Sequence, residues 1–108
     1  TIHENAIIGD NVNIGNNSII GKCSIGSHSY IDDLCKISDS TIIGDNCLIG
    51  GGCGIVDNIK IVDEVRINPM TYVTKSINKS GIYSGGSIVL EHAKWLKHIT
   101  IQKKQFDD

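Results

Sequence analysis

No apolar run in this sequence approaches the roughly 20 residues that a membrane helix needs, and no basic-then-apolar leader opens it. These absences predict a soluble cytoplasmic protein without a transmembrane segment. Charge of one sign is lacking as well: charged residues make up 20% and the net charge is -2, which argues against a general nucleic-acid grip and an acidic disordered tail. Aromatic residues are scarce at 5% and proline occurs once, beside 12 glycines. That mixture suits β structure with many tight corners. With 108 residues, length allows one domain and no separate catalytic and substrate domains.

What is abundant is isoleucine, and it is periodic. An aliphatic residue recurs every sixth position at Ile2, Ile8, Ile14 and Ile20, then after a slip of one at Ile25, Ile31, Ile37, Ile43, Ile49, Ile55, Ile61, Ile67 and Val73. Only the unit Ile20 to Ser24 is short, with five residues. Four places after most of these stands a small or β-branched residue, such as Ala6, Ser18, Ser29, Cys35, Thr41, Cys47 or Cys53, and the place directly after the aliphatic is often glycine. Such hexads are the signature of a parallel β-helix in which three make one triangular coil, so thirteen hexads give a little over four coils. Residues 18 apart stack, predicting ladders of Ile25, Ile43 and Ile61, of Ile31, Ile49 and Ile67, and of Ile37, Ile55 and Val73. Corner glycine, Asn and Asp are expected to supply the positive φ of tight turns.

The frame also explains the cysteines. Four allow three disulfide connectivities, yet Cys35, Cys47 and Cys53 fall on the small inward position and read as core residues. No Cys-x-x-Cys pair is present, so zinc is not expected. After Val73 the period is lost: residues 1–75 form the β-helix, 76–89 a glycine-bearing closing loop, and 90–106 an amphipathic helix with Leu90, Ala93, Leu96 and Ile99 on one face. Residues 1–74 carry four basic and nine acidic side chains, and residues 75–108 six basic and three acidic.

The stretch Ile49–Gly50–Gly51, then Ser76–Ile77, then Gly81–Ile82–Tyr83–Ser84–Gly85–Gly86 and Trp95 resembles the end of UDP-3-O-(3-hydroxyacyl)glucosamine N-acyltransferases, a lipid A pathway family. The resemblance covers about residues 43 to 97. It implies a left-handed β-helix homotrimer that moves a 3-hydroxyacyl chain from acyl carrier protein, or coenzyme A, to the amine of a UDP-glucosamine derivative. In such trimers the sites lie between subunits, and the basic helix here would suit an acidic carrier. The sequence departs from the family in two places. The family carries a uridine-binding domain ahead of the β-helix, whereas this sequence opens inside a hexad at Thr1–Ile2–His3. The family's general-base histidine stands five hexads before the Gly-Gly hexad, where this sequence reads Ile20–Gly21–Lys22–Cys23.

Acyl transfer to an amine needs a base and oxyanion donors. His28, at an outward corner, is the candidate base, with the competing reading of a solvated or interface histidine; Gly50, Gly51, Gly52, Gly85 and Gly86 are the candidate donor groove. His3 opens the first hexad, and His92 and His98 read as solvent or bundle residues. A three-histidine zinc enzyme fails because residues 4 to 91 hold only His28, and an ice-binding face fails with five threonines. Asp32, Asp33, Asp39, Asp45, Asp57 and Asp63 read as corner residues, and Gly50–Gly52 lacks the Lys-Ser/Thr and helix of a phosphate loop. The expected fold is thus an all-β, left-handed parallel β-helix with one C-terminal α-helix. The expected function is acyl transfer, with a non-catalytic trimeric module that has lost its base as the alternative.

Overall fold

The computed structural model describes residues 1–86 and 91–107. The chain winds as a left-handed parallel β-helix of about four coils and ends in one helix. Short strands line three flat faces. The first face holds β1 (Ile7–Ile8), β4 (Ser24–Ile25), β7 (Ile42–Ile43) and β10 (Lys60–Ile61). The second holds β2 (Asn13–Ile14), β5 (Tyr30–Ile31), β8 (Leu48–Ile49), β11 (Val65–Ile67) and β13 (Gly81–Tyr83). The third holds β3 (Ile19–Ile20), β6 (Lys36–Ile37), β9 (Gly54–Ile55) and β12 (Tyr72–Val73). Among the described residues all pairings are parallel, and the interior ones follow the expected ladders: Ile25 faces Ile43, Ile31 faces Ile49, and Ile37 faces Ile55. Nine isoleucines from Ile20 to Ile67 are at most 2% exposed. Each contributes about 1.5–3 kcal/mol of burial, which is how a core forms without any packed helix.

Between Ile8 and Met70 the corners turn on one left-handed residue, the third after each core aliphatic, and its φ lies between 55° and 63° at Asn11, Asn17, His28, Leu34, Ser40, Asn46, Asn58, Glu64 and Met70. The exception is the five-residue unit, where this residue has been deleted. Cys23 is therefore an inward residue: it stands two places before Ile25, as Ala6 does before Ile8, and it is 6% exposed. Glycine plays a different part from the one expected. The left-handed corner residue is glycine only at Gly52, with φ 72°. The recurring glycine one place after the core aliphatic is needed because the next coil passes too close: a Cβ on Gly26 would lie 2.5 Å from the carbonyl carbon of Gly44.

Inward polar residues satisfy one carbonyl of the next coil. Ser18 and Ser29 hydroxyls donate to the Asp32 and Gly44 carbonyls at 3.1 and 3.0 Å. The Cys35, Cys47 and Cys53 thiols donate in the same way to Gly50, Val62 and Asn68 at 3.2, 3.3 and 3.2 Å. Cysteine thus substitutes for serine in the ladder, and all four cysteines are buried and free. Burial raises the Cys35 and Cys47 thiols above their ordinary value; burial and then the Asp39 charge raise Cys23 from 9.0 to about 11.

The segment 76–89, expected as a closing loop, contains a further partial coil. Ile77 bridges Ile61 and Tyr83 pairs with Ile67, each two residues short of the usual 18. The shortened spacing hid this coil from the sixfold frame. Helix α1 runs from His92 to Asp107. Among its described side chains the half-buried ones are Trp95, His98 and Ile99, whereas Leu96 of the expected apolar face is 48% exposed and Ala93 is exposed. Leu90 and the Lys104 side chain lie outside the described residues. Among the described residues no helix is long and apolar enough to cross a membrane.

Candidate functional site

The three corner columns differ in chemistry. His28 sits between β4 and β5, on the corner joining the first and second faces, in left-handed backbone with φ 62°. Its N–H donates to the Asp10 carbonyl at 2.8 Å, and its ring points to solvent. Among the described residues no side chain orients that ring, whereas a histidine base is ordinarily aligned by a partner on its second nitrogen. Asn11, Asn46 and Glu64 continue this column, beside Asp10, Asp45 and Asp63. Two of these carboxylates are structural: Asp45 accepts from the Ser27 N–H and Asp63 from the Asp45 N–H, each at 2.8 Å.

Gly50–Gly52 and Gly85–Gly86 gather on a different column, the corner between the second and third faces. The Gly51 carbonyl accepts from the Met70 N–H at 2.8 Å. One coil further on, the Gly85 N–H donates to the Thr71 hydroxyl at 3.2 Å and its carbonyl accepts from the Tyr72 N–H at 3.4 Å. Gly50 has no room for a side chain, since a Cβ would lie 2.6 Å from the Pro69 nitrogen. The glycines named from sequence therefore form one stack, with Pro69, Met70 and Thr71 in its middle. His28 is not part of it, because the width of the second face lies between them. Within one chain the expected base and the expected groove stay apart.

The third column, between the third and first faces, contains Gly21 and Lys22, where the resembled family's base would fall. Lys22 is exposed, and Gly21 beside it is crowded. A Cβ on Gly21 would stand 2.5 Å from an Asp39 carboxylate oxygen, and the same oxygen accepts from the Lys22 N–H at 2.8 Å. The corner carboxylate of the next coil takes the space into which a side chain would project. A shallow cleft of about 250 Å³ lies on the third-face side, lined among others by Ile19, Lys36, Asp39 and Asp57. A second, of about 360 Å³, lies on the first-face side against Ile7, Lys22, Cys23 and Ile42. The sequence pattern did not identify either cleft, although its one irregular unit marks the corner that both adjoin.

The other histidines are structural or peripheral. His3 accepts the Asn5 N–H on Nδ1 at 3.0 Å, and the His92 ring stacks on Trp95 at 6.0 Å and 16°. Among the described residues no three His, Cys, Asp or Glu side chains converge as a metal set.

Comparison with known proteins follows the coil stack. The pattern described as hexapeptide repeat of succinyl-transferase matches residues 5–31 and 40–75, more than half of the chain. That of bacterial transferase hexapeptide (six repeats) matches residues 22–57. No curated protein sequence matches. The fold is similar to that of serine acetyltransferase isoform 3 from Entamoeba histolytica, solved in complex with cysteine, with a TM-score of 0.70 and 23% identity. That similarity covers 92% of this chain and 41% of the other, so the chain spans about two fifths of that enzyme's length. PerB from Caulobacter crescentus, solved with CoA and GDP-perosamine, aligns over 78% of this chain and 53% of its own, with 15% identity and a TM-score of 0.35.

Proposed function

Because the chain belongs to the hexapeptide-repeat transferases, we propose that it is an acyltransferase similar to the UDP-3-O-(3-hydroxyacyl)glucosamine N-acyltransferases. In this reading it works in the cytoplasm as a homotrimer. The amine of a UDP-glucosamine derivative attacks the thioester carbonyl of a 3-hydroxyacyl group held on acyl carrier protein or coenzyme A. The C–N bond forms, the C–S bond breaks, the amine's proton passes to His28, and the thiol leaves. His28 and the glycine stack lie on opposite edges of the second face, so the site is completed between copies: His28 of one subunit faces Gly50–Gly52 and Gly85–Gly86 of the next. The glycines let the thioester arm approach the backbone, and free N–H groups there receive the developing oxyanion.

The observation that carries this reading is the continuity of the glycine stack. Two motifs more than 30 residues apart in sequence, Gly50–Gly52 and Gly85–Gly86, are brought to one corner by the short last coil. A second reading, a non-catalytic trimeric module, is favoured by an exposed Lys22, and no histidine, at the Gly21–Lys22 place of the family's base.

Transfer of a 3-hydroxyacyl group from acyl carrier protein, and separately from coenzyme A, to a UDP-glucosamine acceptor distinguishes the two. The enzyme reading expects turnover that falls at least about a hundredfold in His28→Ala. No turnover by a folded trimer with either donor would leave the module.

A further inference from the structure

The five-residue corner Gly21–Lys22–Cys23 stands apart from the other corners between Ile8 and Met70, because it lacks the left-handed residue. A cleft opens on each side of it. We infer that the larger one, on the first face, is a binding site for a medium-length aliphatic carboxylate.

Its chemistry is that of an amphipathic slot. Two outward isoleucines, Ile7 and Ile42, belong to strands two coils apart on the same face and leave 69% and 51% of their surface in water. Between them β4 presents only Ser24, so a trough runs between the two aliphatic side chains. Buried Cys23 and Thr41 floor it. The volume of about 360 Å³ is at the lower end for small-molecule sites, which are mostly apolar with a few placed polar groups. Here those groups are Asn5, Ser24, Ser40 and one charge, Lys22. Among the described residues the Lys22 ammonium has no ion-pair partner. The Asp39 carboxylate is held across the corner on the Lys22 backbone N–H. A chain of methylenes covers Ile7 and Ile42, its carboxylate meets Lys22, and a hydroxyl along it can bond to Ser24 or Ser40. The methylene chain could come from a free acid or from an acyl chain on phosphopantetheine; the acid offers Lys22 a carboxylate and the thioester only its carbonyl oxygen, and only the second source rests on the acyl-transfer reading.

The test is binding to the full chain, with isoleucine δ-methyl groups labelled for NMR. Sodium decanoate is expected to shift the Ile7 and Ile42 methyls saturably while those of Ile82 and Ile19, also exposed at 69% and 54%, stay in place. Lys22→Met should weaken decanoate about tenfold or more, as the loss of a charge-assisted hydrogen bond does. Ile42→Asp, at an outward position that leaves the core intact, should abolish the shifts. S-decanoyl-phosphopantetheine binding more tightly than decanoate would assign the site to the acyl donor, and binding more weakly would assign it to the free acid. Equal shifts at Ile82 and Ile19, or decanoate affinity unchanged in Lys22→Met, would overturn the inference. Saturable binding in a chain that turns nothing over would remove the transferase reading and leave this site standing.

Discussion

The coil stack and helix α1 are held by different means. In the stack, every strand inside a sheet is bonded to the coil before and after it, and each ladder isoleucine from Ile20 to Ile67 rests on another 17 or 18 residues away. Among the described residues no strand lies along α1 in an extended contact, and Leu96 and Ile101 are 48% and 49% exposed. A repeat supplies its own partner, because each unit is the template for the next. An amphipathic helix with no repeat depends on a surface that its own sequence does not provide.

Three substitutions or conditions sharpen that contrast. The largest effect is expected in the middle of a ladder: Ile49, fully buried between Ile31 and Ile67, should lose about 2–5 kcal/mol on Ile49→Ala, read by urea denaturation. A smaller effect follows from Cys23. Its thiol keeps its proton up to about 11 in the folded chain and up to 9.0 unfolded, so its contribution is complete below pH 9 and is lost as pH rises toward 11. The melting temperature should fall across that window, and Cys23→Ser should flatten part of the slope. The smallest effect belongs to the helix: Leu96→Gln should change stability by no more than about 0.5 kcal/mol. A loss as large as that of Ile49→Ala would show that α1 is packed against a surface after all.

Much of the fold was legible because the hexad sets both spacing and direction. A residue every six places, three units to a coil, leaves one arrangement of the isoleucines, and the ladders of Ile25, Ile31 and Ile37 follow it. Two features escaped the frame for the same reason. The last coil is two residues short, so Ile77 and Tyr83 fall off the period although they occupy ladder positions. Cys23 has no place when the frame is counted forward from Ile20 across the short unit; counting back from Ile25 puts it inward.

The candidate site was less legible. His28 and the glycines were named as separate features, and nothing in their spacing said that they stand at opposite edges of one face. Nor did the absence of histidine at Gly21–Lys22 reveal that the Asp39 carboxylate crowds Gly21.

The sequence by itself determined the coil, its register and its core, because these depend on contacts between equivalent positions of neighbouring repeats. Only the tertiary structure decided which corners the chemically distinct residues share and where clefts open. Those depend on side chains from different coils meeting outside the core, where no periodicity constrains them.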